Sequence, residues 1–175
     1  MMTNDKDIIY AMREDAERGF RLLMLSYKEP LYWHIRRLVV SHDDAQDAAQ
    51  EAFIRIFRSF GQYNEANSLR AWIFRIATNE ALRLIDRRRE DPISIDKVLD
   101  TEVDSYVNYD DLETVRLQNA ILSLPPKQQL AFNLRYYDEM DYDEIAQIAD
   151  TTPASVKASY HVAKEKIIKF MTNND

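Results

Sequence analysis

Residues 124–167 read LPPKQQLAFNLRYYDEMDYDEIAQIADTTPASVKASYHVAKEKI, and this stretch decides the fold. Pro125 and Pro126 close a helical run over 112–124, and a second helix is expected over 128–137. Asp141 offers an acidic N-cap with Glu144 three residues on, opening a short helix over 144–149. Asp150 and Thr151 make a tight turn. Thr152 then caps a last helix with Pro153 at its first position, running to about residue 170. Two helices joined by so short a turn form a helix-turn-helix, with Val156, Tyr160, Ala163 and Ile167 of the second turned inward.

Upstream, residues 48–60 place Ala49, Ala52, Phe53, Ile56, Phe57 and Phe60 at helical spacing. Residues 69–85 repeat the pattern with Leu69, Trp72, Ile73, Ile76, Ala77, Ala81 and Ile85. Between them, GQYNEANS over 61–68 is polar and turn-like, with Asn67 or Ser68 able to cap the next helix. Pro30 interrupts the earlier helical text and is expected to start a helix over 31–40. These elements make a helix bundle. The reading is all-α: two small helical domains, 5–90 and 112–172, joined by an acidic linker over 91–111.

The linker sets the charge of the chain. From Glu90 to Glu113 nine acids face a single Lys97, which is −8. The whole chain carries −7, so everything else sums to +1. A net −7 argues against nucleic acid as a partner, yet near-neutral flanking blocks leave room for a basic face on each. Fully extended, about 20 linker residues span roughly 65–70 Å, enough to hold two small domains apart.

Only 2 Gly in 175 residues disfavours a turn-rich β fold. The chain has 0 Cys, which excludes disulfides, thiolate catalysis and Cys-based zinc sites and suits a reducing, cytoplasmic setting. The opening MMTNDKDIIYAMRED lacks a signal-peptide pattern, and no apolar window is long enough to insert in a membrane.

DDAQDAAQEAFIRIFRSF (43–60), SLRAWIFRIATNEALRLIDRRR (68–89) and the 124–167 stretch occur in that order, and together they resemble the extracytoplasmic-function sigma factors. The resemblance implies an alternative sigma factor that binds core RNA polymerase and recognises promoter DNA. Its first domain, sigma region 2, would read the −10 element and its second, region 4, the −35 element. No catalytic residue, metal or cofactor is implied. An anti-sigma partner is, since many members of this family are held inactive by one.

Carried onto these residues, the resemblance makes Asp44, Asp47, Gln50, Glu51, Phe53, Ile54 and Phe57 a polymerase-docking surface, a polar rim around an apolar centre. Tyr63, Asn64, Asn67 and Ser68 resemble the family's pocket for a flipped −10 base, where an aromatic and amides stack and hydrogen-bond. Arg70, Arg75, Asn79, Arg83 and Arg87 would neutralise phosphates and position a strand. Trp72 reads as core. For the −35 element the set is Ser155, Lys157, Ala158, Ser159, His161, Val162 and Lys164. Two positions often held by Arg in the family are Ser159 and Val162 here. Without them the bidentate guanine contact is missing, which predicts an A·T-tolerant or shape-driven reading.

Three rival functions are weighed against this, one of them a degenerate sigma-like regulator that binds polymerase but no longer initiates, kept open by the missing recognition-helix arginines. His42-Asp43 is the pair used by metal-dependent phosphohydrolases, but that chemistry needs more ligands than His34 and His161 can add. A free helix-turn-helix regulator acting without polymerase would account for the second domain but not for the first.

Overall fold

The computed structural model describes residues 3–89 and 112–173, and every regular element among them is helical. The linker expected over 91–111 lies outside the described residues.

The first half holds four helices: α1 (Asp5–Glu14), α2 (Ala16–Val39), α3 (His42–Ser59) and α4 (Leu69–Arg89). Asp15 ends α1 and caps α2, its carboxylate accepting from the Arg18 N–H, so the chain turns back within one residue. That hairpin is tight. A Cβ at Gly19 would lie 2.3 Å from the Met12 backbone nitrogen, so only glycine fits.

Pro30 does not start a helix. It sits inside α2, which runs unbroken over 24 residues. Leu23, Tyr27, Leu31 and Ile35 form one buried stripe that passes straight through the proline. Burial of that stripe outweighs the ~3 kcal/mol that an interior proline costs. Ser41 then caps α3 and Ser68 caps α4, as the polar residues before each helix suggest.

The second half holds α5 (Leu112–Leu122), α6 (Pro126–Tyr136), α7 (Tyr142–Ala149) and α8 (Pro153–Thr172). Asp141 Oδ1 accepts from the Glu144 N–H at 2.8 Å, and Thr152 Oγ1 from Ser155 N–H at 3.2 Å. Asp150 closes α7 in the left-handed conformation, φ 54°, which a short polar side chain tolerates. Thus α7, its turn and α8 are the expected helix-turn-helix. Phe132, Ala163 and Ile167 pack with Ala120, Ile121 and Leu124 beneath it.

The two halves are packed against each other. Ala131, Leu134, Met140, Ile145, Ala146, Ile148 and Val156 of the second belong to the same buried cluster as the core of the first. Helix α4 lies against α7, and α2 against α6.

Candidate nucleic-acid interface

After α3 a single 3-10 turn, Phe60–Gln62, leads into the polar loop. Tyr63 is buried there, its ring 5.2 Å from Trp72 and 5.9 Å from Phe60. Its hydroxyl donates to the Asn67 carbonyl at 2.6 Å, and burial raises its pKa. Tyr63 therefore braces the loop, while Asn64 and Asn67 are exposed on it. Asn64 Oδ1 accepts from the Ala66 N–H at 3.0 Å, which holds the loop turned. Trp72 is half-buried in the same aromatic group.

Helix α4 splits its candidate residues between two faces. Arg75 and Asn79 look toward the second half of the chain, into a cavity of about 790 Å³ that Ser155 and Ser159 line from the other side. Arg83 and Arg87 look the other way, toward Asp47, Gln50 and Glu51 of α3. Four residues along a helix advance the face by about 40°, so Arg75 and Arg87 are some 120° apart and cannot serve one strand path. Glu80, buried beneath, is shared by Arg55 and Arg83, the latter at 3.1 Å.

The same surface meets helix α7 through charge. Arg70 donates from Nε and Nη2 to the two oxygens of Glu144, at 2.9 and 2.6 Å, a fork-to-fork pair. That pairing, against some desolvation, holds the guanidinium charge more firmly. Ser68 Oγ reaches Glu144 at 3.4 Å, and Arg75 is 3.9 Å from Asp150. In a reciprocal capping box Glu144 would turn back to its own helix; here its carboxylate goes to α4 instead.

A second set joins α2 to α6. Arg37 lies 4.2 Å over the Tyr137 ring and 3.7 Å from Asp138, and its carbonyl accepts from Gln129 at 3.4 Å. Burial pushes Asp138 up to about 6, with Arg37 and Arg70 pulling the other way. Asn133 sits one turn from Gln129 and one from Tyr137, on the face toward α2. It is fully buried, and neither side-chain amide atom has a partner.

On α3 the docking candidates divide. Asp47, Gln50, Glu51, Ile54 and Phe57 are exposed, the last two by 38 % and 45 %. Phe53 is core, edge-on to Phe20, so its ring is not offered to a partner. Asp44 is turned in and paired with Arg88 of α4. On α8, Ser155, Lys157, Ala158, His161, Val162 and Lys164 are exposed and Ser159 is half-buried; Val156, Ala163 and Ile167 face in. The remaining histidines are engaged within the bundle: His42 Nδ1 lies 2.5 Å from the Tyr32 hydroxyl, and buried His34 Nε2 lies 2.8 Å from Thr78 Oγ1.

Arg37, Asn133, Asp138 and Glu144 were not legible as interface residues. The partners of Arg37, Asp138 and Glu144 lie 68 to 101 positions away in sequence, and no local pattern marks such pairs.

Sigma-70 region 2 matches residues 23–90, and Sigma-70 region 4 matches residues 114–167. Over 97 % of its length the chain is 28 % identical to the RNA polymerase sigma-H factor of Pseudomonas aeruginosa, 95 % of which is covered. It is 27 % identical to the ECF RNA polymerase sigma factor SigW of Bacillus subtilis, over 94 % of this chain and 95 % of that one. The fold matches CnrH, solved with the cytosolic domain of CnrY, at a TM-score of 0.75 and 17 % identity, covering 96 % and 97 % of the two chains. It also matches the sigma factor RpoE of Bartonella quintana, solved with the anti-sigma factor NepR, at 0.71 and 19 %, covering 90 % and 99 %.

Proposed function

Because the chain belongs to the sigma-70 family and carries its region 2 and region 4 in order, we propose how its surfaces divide the work of an extracytoplasmic-function sigma factor. The chain is an alternative sigma factor: it binds core RNA polymerase and directs promoter-specific initiation. The observation that carries this is the presence of region 2 ahead of region 4, which a free helix-turn-helix regulator does not need. The chain performs no chemistry itself; it positions promoter DNA for the polymerase in the cytoplasm. Among the described residues no helix is long and apolar enough to cross a membrane.

Region 2 corresponds to about residues 5–90 and region 4 to 112–172, tethered by 91–111. The exposed face of α3, centred on Ile54 and Phe57 and rimmed by Asp47, Gln50 and Glu51, docks on polymerase. Asn64, Asn67 and Ser68, braced by Tyr63, receive an extruded −10 base. Arg70, Arg75 and Asn79 hold the adjoining strand. Arg83 and Arg87, on the other side of α4, hold phosphates or complete the docking face. Helix α8 enters the major groove at the −35 element. Its small residues allow close approach, and Lys157 and Lys164 reach phosphates. An anti-sigma factor is a further partner, supported by the RpoE–NepR complex of similar fold.

Reconstitution with core polymerase and sequencing of the transcripts from genomic DNA tests the reading. The expected result is a set of discrete starts sharing two upstream elements. No binding to an active core would overturn it.

A further inference from the structure

We propose that α1 splints the base-reading loop, and that Arg13, acting through Glu65, is a positioning residue for base selection at the −10 element. The proposal rests on the assignment of Asn64 and Asn67 to the extruded base. The Sigma-70 region 2 match begins at residue 23, so Arg13 stands ahead of the part of the chain that carries the family's pattern.

Residues 64–67 form a β-turn. The Asn67 N–H donates to the Asn64 carbonyl at 3.0 Å, with Glu65 and Ala66 at the corner. The Asn64 side chain accepts from the Ala66 N–H, and the Tyr63 hydroxyl donates to the Asn67 carbonyl. These bonds fix the shape of the turn. The Tyr63 ring, against Phe60 and Trp72, anchors the near end of the loop. The corner is tied separately, where Arg13 Nη1 of α1 meets Glu65 Oε1 at 2.7 Å. Glu65 stands between the two exposed amides, so a shift of the corner carries both.

Helix α1 is itself firmly seated. Ile8, Ala11 and Met12 are buried. At its C-terminal end the Gly19 contact with the Met12 backbone leaves no room for it to slide. At its N-terminal end the Tyr27 hydroxyl donates to Asp5 Oδ1 at 2.6 Å. The loop runs along this helix. Tyr63, whose hydroxyl is raised first by burial and then by Glu65, also feels Asp5 and Arg13, from opposite ends of α1.

The side chains of the pair are 54 % and 52 % exposed, and an ion pair in that setting adds little to the stability of a fold. It is enough to bias a loop. A base pocket selects by leaving the polar edge of a wrong base unpaired, which depends on where its own donors and acceptors stand. One exposed pair can favour a loop position by up to about fivefold. Arg13 thus tunes selectivity without carrying the fold.

The test uses holoenzyme and fork DNA, duplex upstream and single-stranded through the −10 element of a promoter taken from the mapped starts. Each of the four bases is placed in turn at the extruded position. The parent should favour one base. Arg13→Ala and Glu65→Ala should each cut that preference about threefold, and the double variant no further, because each removes the same pair. Arg13→Glu alone should cut it more. Combining it with Glu65→Arg should restore the parent's preference, a rescue that a purely structural role for either residue does not predict.

A parent that selects one base, with alanine variants that select it equally well, would overturn the proposal. A uniform loss with all four bases on Arg13→Ala that Glu65→Ala does not share would also overturn it, since Arg13 would then be a phosphate contact. Should Arg13→Ala lose stability, the reversed pair decides, because it rebuilds the contact with the charges exchanged; no recovery of preference overturns the splint. A parent indifferent to the base would instead remove the −10 reading of the loop itself, and the splint with it.

Discussion

Region 2 and region 4 present their candidate residues in opposite ways. On α8 the residues offered to the −35 element stand almost entirely in solvent, set on one side of a helix whose other side is core. On α3, α4 and the loop between them the candidates are mixed: Asp47, Gln50, Glu51, Ile54, Phe57, Asn64 and Asn67 stand in solvent, while others are already engaged. Tyr63 is buried, Asp44 holds Arg88, Glu80 holds Arg83, and Arg70 is gripped by Glu144. The difference teaches where control acts. A surface that is displayed is regulated by what reaches it, whereas a surface that is engaged is regulated by what releases it.

The comparison can be broken first at the docking face. Phe57→Asp with Ile54→Asp places two charges in the apolar centre of α3, and core binding should fall by about 100-fold or more, as loss of central anchors does. Both side chains are more than half covered, Phe57 by its edge-on contact with Phe20, so the thermal midpoint should fall by several degrees while the helical fold persists; loss of the fold would show that they belong to the core instead. Next is the contrast between the basic residues of the two regions. Arg70→Ala in holoenzyme should reduce open-complex formation about tenfold at every promoter and lower the salt slope by roughly one ion. Lys157→Ala or Lys164→Ala should cost only a few-fold, also without changing sequence preference. Loss of preference at the −35 element with either lysine variant would mean that these side chains read bases. Selection from a randomised −35 library should return A·T-tolerant positions opposite Ser155 and Ser159. A fixed guanine lost on Ser159→Ala would contradict that reading.

The local signals in the sequence were strong, and the structure follows them closely. Thr152, Pro153 and the acidic cap at Asp141 define the helix-turn-helix because caps act within one turn and depend on nothing distant. The stripes in α3 and α4 were legible for the same reason. Pro30 misled because a local breaker was weighed without the buried stripe running through it. Phe53 was assigned to a surface, although its place among Ala45, Ala52 and Ile56 puts it in the core. The docking of the two halves was not legible at all. Its carriers are apolar residues such as Ala131, Ile145 and Ile148, which read equally well as core of their own half, and single charges that read the same whether they meet water or a helix 74 residues away.

The smallest expected effect is on pH, and it sharpens the comparison because two buried groups respond in opposite senses. Asp138, held at about 6 when region 4 covers it, returns to the ordinary carboxylate range near 4 when the halves separate. The closed form then binds the proton more tightly. Above pH 6 it carries the cost of a buried charge; as pH falls from about 7.5 to about 5.5 that cost is relieved, and closure should be favoured about fourfold. His34 lies within region 2, against Phe74 and Thr78, and burial lowers it from 6.5 to about 3. Its neutral form is required by the fold, so acid weakens region 2 progressively from about pH 6.5 downward. Mild acid should therefore raise energy transfer between dyes placed on the two halves while lowering the unfolding midpoint. Asp138→Asn should abolish the first response and leave the second, and His34→Gln should do the reverse. If Asp138→Asn leaves the rise in transfer intact, then Asp138 is not what couples closure to pH.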